Sequence, residues 1–332
     1  MPVAHRHAGL AAVVLGTLVV AALVVAGVFV LRDEPTVDPD RATATSAVGE
    51  RVNRDGGTIR ALALGPVLTW DPQRLASRDD IAFAGRVFAR TLTAYAPNVD
   101  PDAQDRLVGD LATDTGTASD DLKTWSFTLR EGILWQDGTP VTCADVAYGI
   151  SRSFASKDLP GGSTDALAVL AIPRQANGTS TYAGPYATGP AAAAGQAAFD
   201  KAVSCVGQKL TFTLSTPLGD FNELVSQPAF GPVKKSVDKG PEGVYEVFSA
   251  GPYVLEKPWV PGEGGTFVRN PHWARSADPV RRAHPDRIEY VEGMDIQAIT
   301  QQVMADTDGG RTSVSLSSAP PAIQQNITAV QS

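Results

Sequence analysis

The sequence holds only two cysteines, four histidines and three methionines in 332 residues, which leaves little material for thiol or metal chemistry. His272 and His284 alone lie beyond the N-terminal tail, both in loop-like settings (NPHW and RAHPD). No H-E-x-x-H, G-x-S-x-G or G-x-x-x-x-G-K-[ST] pattern occurs, so the usual metal, nucleophile and phosphate-cradling constellations are missing. Residues 306–310 (DTDGG) open like a calcium loop but lack its later glutamate ligand. Charge is also thin. Asp, Glu, Lys and Arg make up 19% of the chain, with a net of −8 and no basic stripe beyond the isolated Arg281–Arg282, so a nucleic-acid partner is not expected. No repeat of 20–50 residues is visible, which excludes solenoids and propellers. These absences point away from an enzyme and from a bound cofactor.

What is present is first of all a long apolar run. Ala8 to Leu31 is 24 residues without a charge, and about 20 such residues in a helix cross a ~30 Å hydrocarbon core. His5, Arg6 and His7 precede it, so the positive-inside bias places the N-terminus in the cytoplasm and everything after Arg32 outside. A cleaved signal peptide is the alternative, although its apolar core is usually only about 7–15 residues. No cysteine follows the run, which removes a lipoprotein anchor. Residues 33–55 are polar, contain proline and lack an apolar period, and read as a flexible tether. The exported part carries a net −10, because Arg6 and Arg32 lie before it. Outside the cytoplasm an even cysteine count favours a bridge between Cys143 and Cys205, 62 residues apart; two small buried thiols are the alternative.

A hydrophobic fraction of 43% with 31 Gly and 24 Pro predicts a globular chain with many turns and short strands. Alternation predicts strands at 57–64, around Trp125, Phe127 and Leu129, at 133–135, 209–215, 287–291 and 312–317, and a hairpin around 261–265. Thr142 and Asp145 form a capping-box signal before Val146, Ile150 and Phe154 at helical spacing. Asp220 and Glu223 can cap a helix through Leu224 and Val225. Asp295 can start one with Ile296, Ile299 and Val303 on one face, ending at Asp308-Gly-Gly. Residues 156–198, dense in Gly, Pro, Ala and Thr, read as loop. Strands and helices mix throughout, giving an α/β or α+β chain of two lobes. Trp70 sits in the loop after the first strand, where α/β lobes place ligands, and is either a loop anchor or a ligand contact.

Taken in order, these segments resemble the family 5 extracellular solute-binding proteins, the peptide and nickel receptors of ABC importers. Residues 123–154 (KTWSFTLREGILWQDGTPVTCADVAYGISRSF) resemble the family's W-x-F-x-L-R strand, DGTPVT turn and D-V helix. Residues 57–72 (GTIRALALGPVLTWDP) look like its opening strand and "LDP" loop, with Trp70 in place of Leu. Residues 209–233 are similar to its strand, "P-x-x-D-F" and "P-V" segment, and residues 249–273 to its "GPY … NP-x-W" hairpin. The similarity runs collinearly over about residues 56–320.

The resemblance implies an α/β, two-lobed periplasmic-binding-protein-like fold (type II) with an extra subdomain. It assigns residues 56–72 and 205–290 to lobe I, 73–204 to the subdomain and 291–332 to the start of a truncated lobe II, because family members continue well beyond this length. It implies a monomer that captures peptides or peptide-like solutes and hands them to ABC permease subunits, without covalent chemistry. In peptide-binding members the backbone just before the "LDP" loop pairs with the peptide; the matching residues are Gly65, Pro66, Val67 and Leu68, taken here with Thr69 and Trp70. Pro66 has no N–H to donate. An oligosaccharide remains an alternative solute, favoured by the tryptophans, whereas nickel is disfavoured by the scarcity of histidine. A sensory or scaffold ectodomain is the alternative of a different class.

Overall fold

The computed structural model describes residues 55–97, 104–305, 307–318, 320, 321 and 324. The apolar run 8–31 and the tether up to residue 54 lie outside the described residues. Among the described residues no helix is long and apolar enough to cross a membrane.

The strands are β1 (Thr58–Leu62), β2 (Thr93–Tyr95), β3 (Leu107–Gly109), β4 (Thr117–Ala118), β5 (Thr124–Thr128), β6 (Val203–Val206), β7 (Lys209–Thr213), β8 (Tyr253–Leu255), β9 (Gly264–Arg269), β10 (Arg287–Val291) and β11 (Ser313–Ser315). They form a five-stranded sheet in the order β11-β1-β10-β9-β8, a four-stranded sheet in the order β4-β5-β7-β6, and the β2–β3 pair. In the larger sheet β1 runs parallel to both β10 and β11, while β9 and β8 are antiparallel additions. A central parallel strand is covered on both faces, and Ala61 and Leu62 are accordingly both buried.

Two hydrophobic cores result. The first gathers Ala61, Val67, Trp70 and Leu75 with Phe267, Ile288 and Tyr290 under helix α1 (Arg78–Val87). Ser77 caps that helix by accepting from the Asp80 N–H at 3.4 Å, and Phe83, Ala84 and Val87 form its buried stripe. The second core joins Trp125, Phe127 and Leu129 to Phe212, Phe221 and Phe230. Helix α2 (Cys143–Arg152) covers it with Val146 and Ile150. The capping box that starts α2 is complete: Thr142 Oγ1 accepts from the Asp145 N–H at 3.2 Å, and Asp145 Oδ2 accepts from the Thr142 N–H at 2.8 Å.

Several expectations change on folding. The stretch read as loop at 156–198 contains α3 (Asp165–Val169) and most of α4 (Pro190–Ala202). Pro190 at the first helical position and the alanine run favour a helix once Gly195, Phe199 and Ala202 have a core to face. No strand forms at 133–135; the segment makes a single bridge, Leu134 to Pro140. The helix expected after Asp220 is a single turn, α5 (Phe221–Leu224), and the Asp220 side chain makes no capping hydrogen bond to it. The helix after Asp295, α6 (Ile296–Met304), buries Ile299 but leaves Val303 exposed, and Asp308-Gly-Gly begins a new turn, α7 (Asp308–Arg311), instead of ending it.

The expected domain boundaries also differ from the packing. β6 and β7 pair with β5 and belong to the second core, because Phe212 packs on Phe127 and Phe221 there. α1 packs on the first core, although it follows residue 73. Residues 291–317 do not leave the first sheet: α6 and α7 return the chain so that β11 lies parallel to β1, Arg60 opposite Ser313 and Leu62 opposite Ser315.

A buried ionic cluster joins the two cores. Asp110, after β3, receives Arg90 Nε at 2.8 Å and both terminal nitrogens of Arg281 at 2.9 and 3.0 Å. Arg281 also reaches the carbonyls of Gly85 and Ala89 at the end of α1, and Asp278 at 3.2 Å. Burial by itself would raise the Asp110 carboxyl, but the Arg281 and Arg90 charges more than offset it and hold it below the usual carboxylate value. Asp278 is lowered in the same way. Arg281, isolated in the sequence, is thus an internal tie.

Cys143 and Cys205 form a disulfide, Cα atoms 5.8 Å apart, that fastens the start of α2 to β6. Closing a loop of this length constrains the unfolded chain by about 4 kcal/mol. Replacing both cysteines by alanine should cost up to about that much in urea unfolding, and an unchanged midpoint would contradict the role. Asp110→Asn leaves two arginines buried with one partner fewer and should destabilise by roughly 3–5 kcal/mol. Because the folded carboxyls of Asp110 and Asp278 titrate below the unfolded value, their contribution is full above pH ~4 and is lost as pH falls through the lower folded values; acid unfolding of the wild type should be correspondingly steeper than that of Asp110→Asn.

Candidate functional site

Beyond the end of β1 the chain turns through residues 65–72 across the edge of the first core. Backbone pairing with β10 continues one step, the Ala63 N–H reaching the Val291 carbonyl at 2.9 Å, and then stops. From there the loop is held mostly by side chains, with one backbone bond from Trp70. The Val67 N–H donates to Glu292 Oε2 at 2.6 Å, and the Val67 carbonyl accepts from the Tyr245 hydroxyl at 3.3 Å. Glu292 is 4% exposed, and its other oxygen accepts from the Gly262 N–H in the β8–β9 turn. One buried carboxylate thereby fixes the loop against the hairpin. Thr69 Oγ1 and the Trp70 N–H both donate to the Val244 carbonyl, at 2.8 Å each.

The six residues carried over by resemblance are therefore not equivalent. Val67 is buried, with both backbone groups engaged; Thr69 and Trp70 are buried as well. Trp70 has no exposed surface: its indole lies among Phe83, Phe88, Trp259, Phe267 and Tyr290 with ring centroids 5.1–6.3 Å away. It is the loop's anchor, and its side chain presents nothing to a solute at the open stretch. Gly65, Pro66 and Leu68 are the exposed members, Leu68 by 76%, and the N–H of Leu68 donates to no described residue. The open part of the loop is thus one apolar side chain flanked by unpaired backbone.

A second arrangement, invisible in the sequence, holds the far end of this loop. Arg152, at the end of α2, grips Asp71 with Nη1 and Nη2 at 2.8 Å each, donates to Gln73 Oε1, and reaches Asp238 at 3.1 Å through Nε. Tyr148 and Tyr186 hydroxyls donate to the same Asp238 oxygen at 2.7 and 2.6 Å. Burial raises the Asp238 carboxyl less than Tyr186, the Gly240 N–H, Tyr148 and Arg152 lower it, so it stays ionised. Burial, reinforced by Asp238, pushes Tyr186 up to about 12. Arg152 stands 81 residues from Asp71, and no local signal links them. Among the described residues no group of three His, Cys, Asp or Glu is placed to hold a metal ion. His284 is exposed beside Asp55 at 2.8 Å, and the His272 ring packs against Gly138.

The family described as "Bacterial extracellular solute-binding proteins, family 5 Middle" matches residues 106–326. The chain belongs to this family. Among its relatives, the periplasmic oligopeptide-binding protein OppA of Salmonella typhimurium is 32% identical over 165 residues, covering 48% of this chain and 28% of OppA. The solved structure of clavulanic acid biosynthesis oligopeptide binding protein 2 superposes with a TM-score of 0.71 at 32% identity, over 84% of this chain and 47% of that one. The Escherichia coli murein tripeptide binding protein MppA shares the fold, with a TM-score of 0.59 at 23% identity over 82% of this chain and 48% of that one. The chain thus spans less than half the length of these family 5 relatives. The described residues carry the α/β fold of the family, and the relatives are binding proteins.

Within this family 5 chain Glu292 is the residue that sets the loop. Glu292→Gln puts an amide donor against one of two N–H groups; the Val67 amide should then exchange with solvent about 10- to 100-fold faster while the Phe127 amide in the other core is unaffected. Equal acceleration at both positions would mean global destabilisation instead.

Proposed function

We infer that this chain is the extracytoplasmic solute-capturing part of an ABC importer, that it takes peptides or peptide-like solutes, and that it delivers them to permease subunits in the membrane. The observation that carries this reading is the open stretch at Gly65–Leu68: rigidly backed by Glu292 and Tyr245, it leaves unpaired backbone and an exposed Leu68 facing outward. An extended peptide can pair with such an edge through its own backbone, with side-chain contacts adding preference. The oligopeptide-binding names of OppA and of the clavulanic acid biosynthesis protein support the same class of solute. In this reading the first core is lobe I, the second core is the extra subdomain, and the chain acts as a monomer without a cofactor. Residues 8–31 then serve as the membrane anchor, with the N-terminus inside, and 33–55 as the tether.

Calorimetric titration of the full chain with a di- to oligopeptide library tests the reading. Saturable heats are expected for at least one peptide class, weakened when Leu68→Asp places a charge on the open stretch. No heat across the library defeats it, and heats for neutral oligosaccharides alone would transfer the proposal to sugars.

A further inference from the structure

A cavity of about 70 Å³ lies at the seam of the two cores, behind the loop, where Trp70, Asp71 and Pro72 form one wall. Close-packed interiors exclude voids much larger than a water molecule, for which roughly 10–15 Å³ suffices. Here small side chains, Val233, Val237 and Val247, stand where larger ones would close the space, beside Phe88, Trp135 and Phe248. Val247 packs against the first core and Phe248 against the second, so the cavity belongs to neither. Its mouth is open, since Val237 is exposed and Lys239 and Glu246 beside it are more than half exposed.

The charged groups around the cavity are already paired with one another, which disfavours an ionic occupant. Arg152 is engaged by Asp71 and Asp238, Arg90 by Asp110, Lys234 by Asp137 and Thr139, and Lys239 by Glu246 at 2.6 Å. Each cation already meets a carboxylate of the chain, the Lys239–Glu246 pair at the exposed mouth, which leaves the apolar walls as the free surface. Sites between packed units with mainly apolar linings are where small molecules bind.

We propose that this seam cavity is a second solute site, separate from the Gly65–Leu68 edge, and that it takes a small neutral branched-aliphatic group of four or five carbons. A cavity about twice this size, lined by aliphatic and aromatic side chains, stays dry and admits benzene or xenon; the present volume fits a smaller, branched group. Because Asp71 lines the cavity and is gripped by Arg152, an occupant touches the clamp that holds the far end of the loop.

The test uses the full chain with valine methyl groups labelled for NMR, titrated with isobutanol, with xenon under pressure, and with isovalerate as the charged control. Saturable shifts at Val233, Val237 and Val247 are expected for isobutanol and xenon, with a concentration-dependent rise in Tm, and none for isovalerate. Val247→Phe, which fills the space, should abolish the shifts without lowering Tm; Val233→Leu serves the same purpose should the first variant fail to fold. Absence of saturable shifts in the wild type, an equal response to isovalerate, or unchanged shifts in the filled variant would each overturn the proposal. No peptide enters this experiment, so its result is independent of peptide capture at the loop.

Discussion

Asp110 is the point on which the two halves of this fold turn. Its carboxylate is fully buried and accepts from Arg90 and Arg281, one arriving from the segment after α1 and the other from a loop near β10. Taking these charges out of water is expensive, and only the attraction among them, with carbonyls satisfying the remaining donors, makes the burial tolerable. Such a cluster leaves little freedom in how the cores meet: a shift of one relative to the other would strand a desolvated charge. The loop after β1 and the seam cavity both depend on that fixed relation, since each is built from residues of both cores.

The same logic recurs in milder form around the loop. Glu292 has no cationic partner among the described ion pairs and is satisfied by the backbone N–H groups of Val67 and Gly262. Arg152 closes the other end through Asp71. Between these two fixed points only Leu68 is exposed, and Gly65 and Pro66 lie open just before them. For the proposed peptide capture this matters, because an edge held rigid before its ligand arrives loses less entropy on association. The cost is visible beneath it, where the Trp70 and Trp259 indole N–H groups are buried with no hydrogen-bond partner among the described residues, packed edge to face at 5.1 Å. The ring cluster recovers part of that cost, about 0.5–1.5 kcal/mol for each well-placed aromatic pair.

Local patterns in the sequence were faithful where the structure they encode is local. The Thr142–Asp145 capping box, the Asp295 cap and the alternation of Trp125, Phe127 and Leu129 all formed as their spacing implies. Where context overrides propensity they were not. The alanine-rich 190–202 helix was obscured by the Gly and Pro around it, while Ser77 and Asp80 with Phe83, Ala84 and Val87 carried a legible signal for α1 that composition alone did not raise. Of the loop residues, the position was readable but the division into buried Val67, Thr69 and Trp70 and exposed Gly65, Pro66 and Leu68 was not. That division is set by partners at Val244, Tyr245 and Glu292, more than 170 residues away.

The sequence by itself determined the family, the acidic character of the chain, the cysteine pair and the order of most strands, because each of these is written in neighbouring residues or in bulk composition. Tertiary structure alone decided which strands share a sheet, that β11 returns to β1, that Arg281 and Arg152 are internal ties, and that a cavity remains between the cores. These depend on contacts between residues scores of positions apart. Burial pairs such charges only after the chain has brought them together, and no local pattern records which distant carboxylate an arginine will meet.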